Sequence, residues 1–316
     1  MAPKELVYNA TLVDRVDYTP SLSVFKVQLD PGLEPPAPRF LAGQYVVLGL
    51  NNEEVPELGS VRRPMSIVSA PEETGSLEFY IRFVSHPESD NPLTHLLWKL
   101  KPGARLFCGT RITGRFTLQD TIGDGDPRIK VMVAAGTGLA PFLSFVRSEV
   151  LRNPAADLSQ YVMLHGASYP ADLGYREELF QLRDQHGLHY FSTVSRPKEA
   201  PDWTGDQGRV EDYFLPERLA EMETRLGLPP GGFDAATAVI FICGLQGTIG
   251  QTFLRLVERG FVPENRRLRR ALEVPEGAAA SLFFEQYDTN PVIDLKDENL
   301  VRDVREKLHG ALQKSS

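Results

Sequence analysis

The chain of 316 residues contains only two cysteines, Cys108 and Cys243. Two thiolates cannot hold an iron–sulfur cluster or a cysteine-rich zinc site, so an oxidoreductase carrying its own cluster is excluded. The sequence does not forbid a disulfide between them, but in a cytoplasmic protein of this size two reduced, buried thiols are the expectation. The six histidines form no HExxH pattern and no tight ligand spacing, and no metal site is expected. Excess positive charge is also missing: 34 Lys+Arg against 42 Asp+Glu leave a formal charge of −8. No global field would therefore draw in nucleic acid or an anionic membrane. The longest apolar runs, 131–135 and 238–243, are strand-sized and far short of the roughly 20 residues that cross a bilayer. Residues 1–12 carry Lys4, Glu5 and Asn9 and lack the continuous apolar stretch of a secretory signal. These absences predict a cytoplasmic protein without nucleic-acid partners or membrane insertion.

What is present reads as two globular domains, with 42% hydrophobic and 24% charged residues. Short alternating stretches at 12–16, 22–29, 45–50, 65–68, 77–84 and 105–108 are separated by Pro, Gly and Asn clusters such as 30–38 and 51–59. That pattern predicts an antiparallel β-barrel or sandwich, interrupted by one helix near 92–100. After the Gly/Asp stretch 123–127 the pattern becomes strand then helix: 129–134 and 140–151, 161–165 and 173–186, 189–194, 238–242 and 248–259. Such alternation implies crossover helices over a parallel sheet. The expected organisation is a β-barrel over 1–125, an α/β domain over 126–290 and a C-terminal helical extension over 291–316. In that extension Leu300, Val301, Val304, Leu308 and Leu312 recur at helical spacing, a stripe that needs a partner surface. No internal repeat is evident, and no feature specifies an oligomeric state.

Three motifs carry chemistry. Ala134-Ala135-Gly136-Thr137-Gly138-Leu139-Ala140-Pro141 joins an apolar strand to a helix. Glycines there let the backbone turn sharply near a phosphate, and the helix start offers unpaired N–H groups; Pro141 suits the first helical turn. The full GxGxxG pattern is absent, so the turn alone is equally compatible with a tight turn of no further function. Arg63-Pro64-Met65-Ser66 opens a strand in the barrel half; arginine suits a pyrophosphate, and a strand with a small hydroxyl can lie along a flat heterocycle. Phe241-Ile242-Cys243-Gly244 ends a strand where parallel sheets place their ligands.

In this order and on these domain types, the three resemble the ferredoxin–NADP reductase family over nearly the whole chain. The bacterial branch is the nearer, through Leu164-His165-Gly166 with Tyr175, and through Ser195-Arg196 followed by Gly208-Arg209. The resemblance implies an enzyme with non-covalent FAD on the barrel and NADP(H) on the α/β domain. A hydride would pass between NADPH and flavin N5, and single electrons between the flavin and a separate carrier, ferredoxin or flavodoxin.

Carried over by position, it implies that Arg63 and Pro64 hold the FAD pyrophosphate and that Ser66 hydrogen-bonds near flavin N5. Met65, where the family usually has Tyr, would pack along the ring system. Tyr80, Ile81, Arg82 and Phe83, then Pro92, Leu93 and Thr94, would line the rest of the flavin, with Gly114 and Thr117 in a second motif. On the nucleotide side it implies Gly136, Thr137, Gly138, Ser168, Ser195, Arg196, Arg209, Cys243 and Gly244, with Cys243 beside the nicotinamide. Glu285 and Tyr287 would reach the flavin from the family's closing segment. Catalytic roles would fall to Ser66, Cys243 and Glu285. Arg196 and Arg209, with no acidic residue at the end of the second strand, predict a preference for NADPH. The run Arg266-Arg267-Leu268-Arg269-Arg270 reads as a solvated face or as a dock for an acidic carrier, with Arg111 and Arg115 as rivals. The runner-up function is an NAD(P)H reductase of free flavin, quinone or another small acceptor.

Overall fold

A computed structural model describes residues 5–33 and 39–314; the expectations for Lys4 and for 34–38 lie outside these. The chain folds as two compact units, 1–124 with 140–156, and 125–139 with 157–316.

The first unit holds β1 (Ala10–Thr19), β2 (Leu22–Leu29), β3 (Tyr45–Asn51), β4 (Ser60–Ser66), β5 (Leu77–Arg82) and β6 (Arg105–Cys108). All pair antiparallel in the order β4-β3-β6-β1-β2-β5. Past the end of β4, Val68 N–H donates to the Glu78 carbonyl of β5 at 2.8 Å, joining the two outer strands. Alternate residues build the core: Phe25, Val27 and Leu29 from β2, and Leu77, Phe79 and Ile81 from β5, meet Val46 and Leu48 from β3. Helix α1 (Leu93–Leu97) buries Leu93 and Leu97, one turn apart, on this core. A short α2 (Leu118–Thr121) follows. The expected strand 65–68 is instead Ser60–Ser66, because Pro64 is tolerated on a strand that pairs on one side only. Helix α3 (Ala140–Arg152) belongs to this unit. Its Phe142 and Phe145 lie 5.9 and 6.4 Å from Phe116, Ser144 Oγ donates to the Ser69 carbonyl at 2.8 Å, and Arg147 pairs with Glu78 at 2.9 Å.

The second unit holds β7 (Ile129–Ala135), β8 (Tyr161–Ala167), β9 (His189–Val194), β10 (Asp206–Gln207), β11 (Ala238–Gly244) and β12 (Leu282–Gln286). Every pairing is parallel, in the order β10-β9-β8-β7-β11-β12. Strand β11 is buried at all seven positions, which is why it reads as an unbroken apolar run rather than an alternating one. Around the sheet stand α4 (Arg176–His186), α5 (Pro216–Arg225), α6 (Gln246–Val257), α7 (Arg266–Ala271) and α8 (Glu298–Lys314). Helix α5 is an addition to the elements expected from sequence, although Pro216 sits at its first turn and Leu219 and Met222 form its buried stripe. The stripe of α8 finds its surface inside the same unit: Val301, Val304 and Leu308 share one core with Ile249, Phe253, Leu256 and Val257 of α6. Arg305 also donates to the Ala271 carbonyl at 3.0 Å, and His309 Nε2 lies 3.0 Å from the Leu272 carbonyl. Among the described residues no helix is long and apolar enough to cross a membrane.

Candidate active site

In the first unit, strand periodicity turns Arg63 and Met65 to one face of β4, and Pro64 and Ser66 to the other. Arg63 is exposed, donates to the Arg62 carbonyl at 2.8 Å and has no carboxylate partner among the described residues. Its guanidinium is therefore free to meet an anion. Pro64 is exposed, Ser66 is buried, and Met65 packs half-buried on the barrel core. In β5, Tyr80 is buried with its ring edge-on to Tyr18, Ile81 is core and Arg82 is half-buried. The Phe83 ring stacks on His95 with centroids 4.5 Å apart. Pro92 precedes α1, Leu93 is core, and Thr94 Oγ1 accepts from Val84 N–H at 3.4 Å. Gly114 lies against the Tyr45 ring, and Thr117 caps α2 by accepting from Asp120 N–H at 2.9 Å.

In the second unit the glycine turn follows β7 directly. Gly136 has φ +55°, and a Cβ there would meet nothing within 4 Å, so glycine serves the backbone shape while the space beside it stays open. Gly138 answers a different need. A Cβ on it would stand 2.0 Å from the Cys243 carbonyl oxygen, so the turn and the end of β11 touch backbone to backbone. Strand register then sets one row across the sheet: Ser192, His165, Ala134, Cys243 and Glu285. Tyr287 N–H donates to the Gly244 carbonyl at 3.1 Å, and its hydroxyl to the Thr137 carbonyl at 3.3 Å. Thr137, Gly138, Cys243, Gly244, Glu285 and Tyr287 thus converge at the carboxyl edge. Burial first, then the Glu285 charge, hold the Cys243 thiol well above its ordinary range, so it stays protonated and is no nucleophile. Cys108 is pushed up to about 12 by burial, and both cysteines are free.

Further along the same edge, Ser195 N–H donates to the Ala167 carbonyl at 2.9 Å and Arg196 N–H to the Ser168 carbonyl at 3.1 Å, which sets these residues side by side. Gly208 N–H donates to the Val194 carbonyl at 2.9 Å, bringing Arg209 to the end of β9. Arg209 is exposed and pairs with the buried carboxylate of Glu211. Of the arginine run in α7, Arg266, Arg267 and Arg270 are exposed, while Arg269 turns back to the Pro263 and Ala278 carbonyls. That helix flanks the start of β12, at the amino edge of the sheet, opposite Cys243 and the glycine turn.

Comparison with known proteins matches residues 132–252 to the oxidoreductase NAD-binding domain. Ferredoxin–NADP reductase B of Sorangium cellulosum is 32% identical over 222 residues, covering 70% of this chain and 80% of the relative. The chain belongs to the ferredoxin–NADP reductase family. It is accordingly a flavoprotein oxidoreductase that uses a nicotinamide nucleotide. The phenol hydroxylase P5 protein of Acinetobacter pittii is 27% identical over 278 residues, 86% of this chain and 67% of that protein. The fold matches a ferredoxin–NADP reductase from Neisseria gonorrhoeae, solved with bound FAD and NADP, at a TM-score of 0.68 and 22% identity, over 88% of this chain and 97% of that one.

Several residues of this family member acquire partners that the sequence does not reveal. Tyr169 and Glu199 join Arg196 in one hydrogen-bonded group, and Asp288 accepts Gln246 N–H at 2.8 Å at the start of α6. No local pattern marks them, since their partners are brought up by the fold. His165, in sequence only part of a strand-end motif, is wholly buried, with Nδ1 3.2 Å from the Tyr190 hydroxyl and Nε2 without a hydrogen-bond partner. Burial first, then the Arg176 charge, depress its pKa from 6.5 to about 3. It is neutral in the folded protein, while the unfolded chain takes up a proton below its ordinary pKa. The stability it permits is full above pH 6.5 and is lost as pH falls, by about 1.4 kcal/mol per pH unit until its folded pKa is reached. Urea unfolding of His165→Asn between pH 7 and 5 should show a slope shallower by that amount; parallel slopes would refute the assignment.

Proposed function

We propose that the protein is an FAD-dependent NADPH reductase delivering electrons singly to a separate carrier, ferredoxin or flavodoxin. The observation that carries this reading is the carboxyl-edge cluster, in which the Gly136-Thr137-Gly138 turn lies against Cys243 with Glu285 and Tyr287 beside it. The residues fit the two ligands. Arg63 offers a guanidinium without a carboxylate partner among the described residues, and open space lies beside Gly136 at the turn. Bound FAD supplies the redox chemistry, taking a hydride at N5 from reduced nicotinamide and giving up electrons one at a time.

The chain's own residues bind and orient. Arg63 and Pro64 hold the pyrophosphate, Met65 packs along the ring system and the Ser66 hydroxyl hydrogen-bonds near N5. Tyr80 to Phe83, Pro92 to Thr94, Gly114 and Thr117 line the remainder. The Gly136–Gly138 turn receives the nucleotide phosphates, and Ser168, Ser195, Arg196 and Arg209 the adenosine end with its 2′-phosphate. The protonated Cys243 thiol gives the nicotinamide a small neutral neighbour, with Gly244, Glu285 and Tyr287 completing that end. No general base is required. Flavin binding belongs to 1–125, nucleotide binding to 126–290, and 291–316 is a helical extension. For an acidic carrier the exposed Arg111 and Arg115 flank Gly114, whereas the α7 arginines lie at the far edge of their own unit.

A second reading, an NAD(P)H reductase serving a small acceptor, is favoured by the similarity to the phenol hydroxylase P5 protein over 86% of this chain. One experiment separates them. The purified protein should be yellow, release FAD on heating and bleach with NADPH under anaerobic conditions. Added ferredoxin or flavodoxin should then re-oxidise it faster than quinone or free FMN does. Faster turnover with the small acceptors would select the second reading, and a yellow protein that NADPH does not bleach would overturn both.

A further inference from the structure

We propose that Glu199, acting through Tyr169, sets how strongly Arg196 favours a 2′-phosphorylated dinucleotide over its unphosphorylated counterpart. This rests on the reading above that Arg196 meets the adenosine ribose. Arg196 Nη1 donates to the Tyr169 hydroxyl oxygen at 2.8 Å, and that hydroxyl donates to Glu199 Oε2 at 2.8 Å. The guanidinium carbon also lies 5.5 Å from the Tyr169 ring centroid. The chain of bonds has a direction. A phenol has one proton, and giving it to Glu199 leaves a lone pair for Arg196. Glu199 is held in place by the turn Pro197–Glu199, whose last N–H donates to the Arg196 carbonyl at 3.2 Å.

A 2′-phosphate on Arg196 would bring negative charge towards the Glu199 carboxylate, whereas a 2′-hydroxyl would bring none. Glu199 therefore weakens binding of the phosphorylated nucleotide alone. It also keeps the Tyr169 proton from donating to the phosphate. Arg209 is arranged in the same sense, its guanidinium already paired with Glu211. Each of the two arginines thus carries its own carboxylate, directly or through a hydroxyl. Of the two carboxylates, Glu211 is buried and Glu199 is exposed, so Glu199 is the one that can be changed without disturbing the core.

The test is calorimetric titration of the flavin-loaded protein with 2′,5′-ADP and with 5′-AMP, alongside NADPH and NADH kinetics. Glu199→Gln should tighten 2′,5′-ADP about three- to fivefold, the reach of an exposed charge interaction, and leave 5′-AMP unchanged. The ratio of kcat/KM for NADPH over NADH should rise by the same factor. In a Tyr169→Phe background the gain should shrink, since the two act as one unit. Arg196→Ala should remove most of the advantage of 2′,5′-ADP. If Glu199→Gln leaves 2′,5′-ADP unchanged, or shifts both ligands equally, while Arg196→Ala still weakens it, the role of Glu199 is refuted and the site reading stands. If Arg196→Ala also changes nothing, the site reading itself fails.

Discussion

Gly138→Ala should reduce NADPH oxidation by on the order of a hundredfold, the usual consequence of moving reacting groups by about 1 Å, while flavin content stays near that of the parent. The new Cβ would stand 2.0 Å from the Cys243 carbonyl oxygen, 2.6 Å from its carbonyl carbon and 3.3 Å from Gly244 N. All three are backbone atoms, so no side-chain rotation relieves the clash. Either the turn lifts from β11 or the end of β11 shifts, and both displace Thr137 and Gly244, to which Tyr287 is bonded. Gly136→Ala is the control. Its Cβ meets nothing within 4 Å, and the left-handed backbone costs about 1–2 kcal/mol of strain, which should appear in stability more than in turnover. Steady-state kinetics with visible absorbance of the bound flavin reads both variants. Parental turnover by Gly138→Ala would show that the contact between turn and strand can relax at no functional cost.

Truncation after Pro291 should prevent the second unit from folding stably. The cut removes Val292 and Ile293 together with Val301, Val304 and Leu308, all members of the core built around α6. Each such side chain contributes about 1.5–3 kcal/mol on burial, so their joint loss matches or exceeds the roughly 5–15 kcal/mol that stabilises a typical protein. Exposed apolar surface on α6 should then drive the truncated chain into the insoluble fraction. Leu308→Ala gives a graded version, with an expected loss of about 2–5 kcal/mol measurable by urea unfolding. A soluble truncated protein with the parental melting temperature would mean that α8 is dispensable to the core it packs into.

Much of this molecule is legible in local pattern. Alternating polarity marks the antiparallel strands, unbroken apolar runs the parallel ones, and the glycine pair between Ala135 and Leu139 the turn at the carboxyl edge. These features are decided by residues close in sequence, through strand pairing periods and the φ values glycine permits. The arginine–proline pair in β4 hides a strand, because its tolerance depends on which neighbours β4 lacks. The contacts of α3 with Phe116 and Ser69, the surface that α8 covers, the row from His165 to Glu285 and the bond chain from Arg196 to Glu199 were decided only in three dimensions. Each depends on register or packing between segments distant in sequence or on different elements, and no local period encodes which distant side chain arrives opposite another. The sequence therefore determined which elements form and where the nucleotide-binding turn lies, while the tertiary structure decided what stands beside each charged group and thus how strongly it is neutralised.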